Sequence, residues 1–200
     1  MSLHDPVLAA LRIKGFAKPD ALSDVLGAEA GPALADLLAK GMAEETRIGL
    51  RLTEAGKTAA DALTEREREA LSGLDMDAQY DAFHHLNGPF KQAIADWQMR
   101  DGAPNDHADA AYDAGIVARI RDTHIALLPI LSALGASVPR LGRYAERFDR
   151  ALAAIDAGEA RMVAAPIIDS YHTVWFELHE DLIRLSGRSR AEEARAGRAV

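Results

Sequence analysis

The stretch LADLLAKGMAEETRIGLRLTEAGKTAA, residues 34–60, decides the fold of the first third of the chain. Gly41 is placed to end a helix, because glycine adopts the left-handed backbone that commonly follows a last helical turn. The runs 42–47 and 49–53 are short enough to be two strands joined by a tight turn. Thr53 is suited to cap a following helix. The stretch therefore predicts a helix, a two-stranded hairpin and a second helix in direct succession.

Two more short helices are predicted before this stretch, with proline and glycine marking their ends. Proline is favoured at the first helical position and glycine just after the last one. The first helix is predicted to begin at Asp5 as its N-cap and to end at Gly15. The second is predicted over residues 18–27, and the third, which leads into the hairpin, over 31–41.

This order of elements predicts a winged helix-turn-helix. The run LLAKGM (37–42), followed by LRLTEAGK (50–57), resembles the recognition helix and wing of MarR-like winged-helix transcriptional regulators. The resemblance covers about the first third of the chain. It implies that residues 1–64 form a winged-helix domain that binds DNA.

Few side chains of this domain are suited to contact DNA. Protein affinity for DNA comes mostly from cations on phosphates, and base reading needs Arg, Lys, Asn or Gln near the start of the recognition helix. The predicted recognition helix offers Lys40 as its only cation, and the wing adds Arg47 and Arg51. We expect these three residues to contact DNA. The alternative is a winged helix that contacts another protein.

The composition excludes several other classes of protein. The 200 residues carry a formal net charge of −8 and include no cysteine, which excludes disulfides, thiolate catalysis and cysteine zinc sites. No apolar run is long enough to span a membrane, and the N-terminus does not resemble a signal peptide. We expect a cytoplasmic protein with no membrane partner.

The remaining two thirds of the chain are predicted to be an antiparallel helical bundle. The bundle domain is predicted to comprise residues 65–187, and a helix over 53–73 is predicted to link it to the winged-helix domain. A flexible, arginine-containing tail is expected at 188–200. The predicted fold class is therefore mainly α. Apolar residues repeat at helical spacing in four long segments. These segments are residues 75–100, 109–135, 138–157 and 160–186.

The densest segment of this bundle is DSYHTVWFELHEDL, residues 169–182. On a helical wheel His172, Trp175, Phe176 and His179 share one apolar face, which predicts that both histidines point into the bundle. The opposite face is predicted to be in solvent. It carries Glu177, Glu180, Asp181 and Arg184.

Inward histidines on two helices predict a polar pocket in the bundle. His124 shares its face with Leu127 and Leu128, so it is also expected to point inward. A buried polar ring is costly unless it is paired. The pocket is expected to bind a small anionic or aromatic effector; the alternative is that each ring is a hydrogen-bonded core histidine. The predicted ligand-binding residues are His124, Tyr171, His172, Trp175, Phe176 and His179.

A second hypothesis for the same histidines is that they bind a divalent metal ion. Zinc and similar ions need three or four His, Asp or Glu ligands. YDAFHHLN (80–87) and ALAAIDAGEARMVAA (151–165) resemble segments of the sensing domains of GntR-type regulators, which implies a metal held by Asp and His. The candidate ligands are Asp81, His85, His124 and His172.

A further resemblance supports a regulator with a sensing domain. DWQMRDGAPNDHADAAYD (96–113) and the segment 169–182 look like the C-terminal domain of a group of bacterial winged-helix regulators. No phosphate loop, HExxH or GxSxG motif occurs, and no nucleophile triad is in register, so no enzyme is predicted. The predicted function is a homodimeric, ligand-responsive DNA-binding regulator, in which the linking helix sets the spacing of the two winged helices.

Overall fold

The computed structural model describes residues 4–27, 30–188, 193 and 195, and the chain is mainly helical with small antiparallel sheets. It divides into two compact units, and the division falls between Ala70 and Leu71. The sequence placed the boundary after residue 64, but the helix that crosses this point runs without a break to Ala70. No described helix is both long and apolar enough to cross a bilayer.

The first unit has the element order that the sequence predicts. The helix expected to be capped by Asp5 begins one residue earlier than predicted: His4 holds the cap position, and Asp5 is a buried first-turn residue 3.3 Å from Arg66 Nη2. The elements of this unit are α1 Asp5–Lys14, α2 Pro19–Leu26, α3 Ala30–Ala39, β1 Ala43–Thr46, β2 Gly49–Leu52 and α4 Glu54–Ala70.

The hairpin of the first unit is extended by the segment between α1 and α2. β1 and β2 pair antiparallel, with Thr46 opposite Gly49 at the turn. Ala17 and Leu50 exchange both backbone hydrogen bonds, at 2.9 and 2.8 Å. A Cβ on Gly49 would lie 2.7 Å from the carbonyl oxygen of Ala17, so this close approach requires glycine.

The joint between the hairpin and α4 is equally close. Thr53 acts as the predicted cap: its hydroxyl accepts from the amide of Gly56 at 3.2 Å and donates to the carbonyl of Gly41 at 2.7 Å. The amide of Thr53 donates to the carbonyl of Met42 at 3.0 Å. A Cβ on Gly56 would overlap that same carbonyl oxygen, so α4 packs directly on backbone at the start of the hairpin.

The second unit is built from four long helices and has its own core. α5 contacts α6 and α9, and α7 contacts α6 and α9, so the four helices surround shared apolar side chains. Its elements are α5 Met76–Gln98, β3 Met99–Arg100, β4 Ala103–Pro104, α6 Ala110–Ser137, α7 Pro139–Asp156, α8 Arg161–Ala164 and α9 Tyr171–Leu185.

Two predicted elements of this unit differ in the structure. The helix expected over 160–186 is two helices, because Pro166 lacks an amide hydrogen and Ile167 has a left-handed backbone with φ of 74°. Ser170 then caps α9 through the amide of Thr173. The connection expected over 100–109 to be irregular contains the short β3–β4 hairpin.

The tail predicted to be flexible is anchored at two of its described residues. The buried Glu193 accepts a 2.6 Å hydrogen bond from the hydroxyl of Tyr80. The guanidinium of Arg188 lies 4.2 Å from the centre of the Tyr80 ring. Arg188 and Glu193 therefore both contact Tyr80 on α5, and residues 189–192, 194 and 196–200 of the predicted tail lie outside the described residues.

Candidate functional site

The structure places Trp175 at the centre of the second unit's aromatic core. Its ring stacks on Phe83 and Phe90, with centroids 4.8 and 4.2 Å apart. Its indole Nε1 donates to Asn87 Oδ1 at 2.9 Å. Stacked, hydrogen-bonded aromatic rings of this kind hold helices together. Trp175 therefore joins α9 to α5, which is a core position.

His124 and Tyr171, two of the predicted ligand-binding residues, are in contact. The Tyr171 hydroxyl lies 3.3 Å from His124 Nδ1, and Asp149 Oδ1 lies 3.2 Å from His124 Nε2. Burial lowers the pKa of His124, and the Asp149 carboxylate partly opposes this. Burial also raises the pKa of Tyr171 above its ordinary range, so its hydroxyl stays protonated.

His179 and His172 differ in their surroundings, although they share α9. His179 is buried, with Nε2 3.4 Å from the Tyr80 hydroxyl and its ring against Phe83. His172 is half-buried and has its ring 6.2 Å from Phe90, and within the described part of the chain its imidazole has no hydrogen-bond partner. Burial lowers its pKa. His172 is therefore the predicted site residue with unused hydrogen-bonding groups.

Three expectations about which faces are buried are wrong. Phe176, predicted to line the pocket, is 37% exposed, and Leu128, predicted to point inward beside His124, is 40% exposed. Glu177 and Asp181, predicted to be in solvent, are 6% and 3% exposed. The buried face of α9 therefore includes these two carboxylates, because cations on α7 pair with them.

The first of these cations is Arg147 on α7. Its Nη2 lies 2.5 Å from Asp169 Oδ1 and 2.7 Å from Glu177 Oε2, and its Nε donates to Asp169 Oδ2 at 3.0 Å. Burial alone would lower the pKa of Arg147. The hydrogen bonds and charges of the two carboxylates outweigh this effect, so the pKa lies above its ordinary value. The guanidinium therefore stays charged inside the protein. We name this group the Arg147 cluster.

The second cation, Arg140, forms a separate group with Asp181 and Tyr144, named here the Arg140 cluster. Arg140 makes a two-pronged contact to Asp181, with distances of 2.7 and 2.9 Å. The Tyr144 hydroxyl donates to Asp181 Oδ2 at 2.6 Å. Burial, followed by the charge of Asp181, raises the pKa of Tyr144 well above its ordinary value, so Tyr144 remains a donor.

The structure does not bring the candidate metal ligands together. Asp81 and His85 are exposed on α5, where His85 Nδ1 lies 2.6 Å from the backbone oxygen of Asp81. His124 has Tyr171 and Asp149 as partners, and His172 has none that could share an ion. Within residues 4–27, 30–188, 193 and 195, no three His, Cys, Asp or Glu side chains are grouped to hold a metal.

Two of the three residues predicted to contact DNA are held in surface ion pairs. Lys40 Nζ lies 2.6 Å from Asp36 Oδ2, and this hydrogen bond is the main reason that the pKa of Asp36 is lowered. Arg51 Nε lies 2.7 Å from Glu44 Oε1. Arg47, at the end of the hairpin, is exposed and has no ion-pair partner among the described residues.

The same hairpin edge exposes two large apolar side chains. Phe16 is 53% exposed and Ile48 is 58% exposed. They flank Ala17 and Gly49, the two residues whose backbones meet between the hairpin and the segment after α1. Each side chain is therefore exposed next to the pairing of Ala17 with Leu50.

An open groove of about 550 Å³ lies beside this hairpin. Three cations contribute to its lining, and each is paired with a carboxylate, so the groove offers no surplus charge to a ligand. The pairs are Arg12 with Asp61, Arg51 with Glu44, and Lys57 with Glu54.

The loop before α6 holds a polar cluster that is not among the predicted site residues. His107, with a left-handed backbone at φ of 57°, places Nδ1 2.9 Å from Asp113 Oδ2 and packs its ring 4.5 Å from Trp97. The Asn105 amide bridges the Trp97 carbonyl at 3.2 Å and Asp113 Oδ1 at 3.0 Å. The density of Asn, His and Asp in this loop was the available signal for it.

Comparison with known proteins adds no further likeness to these observations. No family model, curated protein or solved structure matches the chain. The resemblance to MarR-like regulators therefore rests on the residues of the hairpin region, and the function is inferred from the sites described above.

Proposed function

We propose that the chain is a DNA-binding transcriptional regulator whose first unit is a winged helix. The observation that carries this proposal is the backbone pairing of Ala17 with Leu50. It adds the segment between α1 and α2 to the β1–β2 hairpin, and α3 leads directly into that hairpin. A short strand after the first helix, paired with a wing, is the arrangement typical of winged helices. In this reading α3 is the recognition helix.

Lys40, Arg47 and Arg51 are the residues proposed to meet the DNA phosphates. Ion pairs as exposed as that of Lys40 with Asp36 are screened by solvent, so a phosphate can replace the carboxylate at little cost. Arg47 needs no such exchange. Association of this kind releases counterions and is strongly salt dependent.

The second unit is proposed to be an antiparallel helical bundle that senses a small anionic or aromatic effector and supports a homodimer. His172 is the residue proposed to contact the effector, because its ring is half-buried and lacks an internal hydrogen-bond partner among the described residues. His124 and His179 have protein partners of their own, so we propose that they hold the bundle helices together and do not contact the effector.

The test is a fluorescence titration of a labelled duplex from the chain's own upstream DNA, at about 50 mM salt. Wild type is expected to bind, and Arg47→Ala to bind several-fold more weakly because one phosphate contact is lost. Lys91→Ala, which removes an exposed cation from α5, is the matched control and should bind as wild type does. No binding at any protein concentration would contradict the proposal.

The same titration tests the effector response. Benzoate, an aromatic anion, is expected to change the DNA affinity of wild type and to have less effect on His172→Ala. A response that His172→Ala and His179→Ala both retain in full would mean that the histidines are structural.

A protein-binding winged helix is the second candidate function. It is favoured by the exposure of Phe16 and Ile48, because contact with phosphates does not need large apolar groups. In the duplex titration, a DNA-binding first unit should bind both as wild type and as the double variant Phe16→Ala, Ile48→Ala, whereas a protein-binding first unit should bind the duplex in neither form.

A further inference from the structure

We infer that the first unit holds DNA by its phosphate backbone and does not select a base sequence. This inference rests on the proposed function, because it states what kind of DNA ligand the winged helix takes. It follows from the side chains that α3 and the hairpin present to solvent, considered position by position.

Apart from Asp36, which is engaged by Lys40 and His4, the exposed positions of α3 carry no group that hydrogen-bonds a base edge. Gly31, Pro32, Ala35 and Ala39 are exposed over the described length of the helix, Ala30–Ala39. Direct reading in the major groove needs donors and acceptors such as the guanidinium of Arg or the amides of Asn and Gln. Small side chains allow the helix to approach the groove closely and provide nothing with which to distinguish base pairs.

The two polar residues of this region are already engaged with each other. Asp36 Oδ2 lies 2.6 Å from Lys40 Nζ and 2.7 Å from His4 Nε2. Lys40 follows the last residue of α3, whereas base contacts in helix-turn-helix proteins come from the N-terminal residues of the recognition helix. Lys40 is therefore placed for phosphate contact, and Asp36 balances its charge in the absence of DNA.

The hairpin adds charge without adding base-reading geometry. The Thr46 hydroxyl donates to the carbonyl of Gly49 at 2.6 Å, so it is occupied within the turn. Arg51 is paired with Glu44, which leaves Arg47 as the exposed cation of the hairpin without a carboxylate partner in the described chain. Of about three cations on this surface, only Arg47 presents a guanidinium without a carboxylate partner in the described chain, and it lies in the hairpin turn and not on α3, which is the balance expected of backbone binding.

The ratio of the affinities for the upstream duplex and for other DNA distinguishes base-specific binding from phosphate-backbone binding. Sequence-specific proteins prefer their sites over other DNA by about 10³ to 10⁷, and each bidentate base contact contributes a factor of about 5 to 150. Without such contacts, we expect the preference for the upstream duplex over a shuffled duplex of the same composition to be below about tenfold. Three phosphate contacts predict a slope of about −2.7 in log affinity against log salt for each protomer that contacts the DNA, and about twice that for a dimer bound through both protomers.

The experiment is a competition between the upstream duplex and the shuffled duplex for the full-length wild-type chain, repeated over a salt series. Affinities within tenfold of each other, with the steep salt slope, would support the inference. A preference of tenfold or more for the upstream duplex would overturn it and leave the proposed function standing. Failure to bind either duplex would overturn the proposed function, and the inference with it.

A charge placed on α3 tests whether this helix faces the DNA at all. Ala35→Glu is expected to weaken binding to both duplexes by at least about tenfold, because the carboxylate would meet the phosphates. Ala62→Glu adds the same charge at an exposed position of α4 and is the matched control, expected to have a smaller effect. Equal affinities for the two variants would overturn the inference, because binding would then not involve α3.

Discussion

The ion pairs of the two units show how burial changes what the same residue types do. In the first unit, Lys40 and Asp36 pair with 50% and 40% of their side chains exposed. In the second, Arg147 and Glu177 pair with 5% and 7% exposed. The distances are nearly equal, at 2.6 and 2.7 Å. Distance alone therefore does not reveal whether an ion pair holds a fold together or is free to exchange partners.

The two ion pairs differ in stability because their charges are desolvated to different extents. An exposed pair gives up little hydration and is screened, so its loss changes stability by about 0 to 1 kcal/mol. A buried charge deprived of its partner has neither water nor counter-charge, and breaking such a pair costs about 3 to 5 kcal/mol. Exposed ion pairs suit a surface on which a phosphate replaces the carboxylate. Buried ion pairs hold α7 against α9.

The largest expected effect is on the Arg147 cluster. Arg147→Ala leaves Asp169 and the buried Glu177 without their shared cation, so we expect the free energy of unfolding to fall by about 3 to 5 kcal/mol. Urea denaturation followed by circular dichroism measures this loss. Arg150→Ala is the control: Arg150 is 57% exposed and 3.8 Å from Asp169, and its removal should cost less than about 1 kcal/mol. Equal losses in the two variants would contradict the comparison.

A smaller effect is expected in the Arg140 cluster. Tyr144→Phe removes the hydroxyl that donates to Asp181 and keeps the ring, so it isolates one hydrogen bond to a charged group. Such bonds contribute about 1.5 to 3 kcal/mol, which should appear as a lower denaturation midpoint with an unchanged slope. A midpoint equal to that of wild type would show that Arg140 alone satisfies the buried carboxylate.

The smallest effect concerns pH and His172. Burial holds the pKa of His172 below its ordinary value of 6.5, so the unfolded chain binds the proton first as pH falls. The contribution of a neutral His172 is therefore complete above about pH 6.5 and is lost as pH decreases towards the lower folded pKa.

Urea denaturation of wild type and His172→Asn, at about pH 7.5, 6.5 and 5.5, isolates this contribution. Stability of the variant should fall less steeply with acid than that of wild type. His124, whose pKa is also lowered by burial, remains in both proteins and contributes the same slope to each. Parallel profiles would mean that His172 titrates equally in the folded and unfolded chains.

Much of the fold could be predicted because it depends on local signals. The β1 and β2 strands fall inside the predicted runs 42–47 and 49–53, and Thr53 caps α4 as expected. The break before α9 was missed, although Pro166 was a visible signal for it. The apolar residues repeat at helical spacing over 160–186, and this periodicity predicted one continuous helix despite the proline.

The candidate site was harder to predict because its partners are distant in sequence. The helical wheel assigned Glu177 and Asp181 to solvent, since a wheel sees only the residues of one helix. Their cations, Arg147 and Arg140, come from α7, 30 and 41 positions away along the chain. Burial of a charge depends on such a partner, and no local pattern records it.

The contact of Gly56 with the Met42 carbonyl has a mechanical consequence for the first unit. Where two elements meet through side chains, a small displacement of one can be absorbed by rotamer changes in the other. At this joint α4 rests on backbone, and Thr53 ties the same point with three hydrogen bonds. A displacement of the N-terminal end of α4 would therefore move the start of the hairpin with it, because no side chain between them can change rotamer to absorb the displacement.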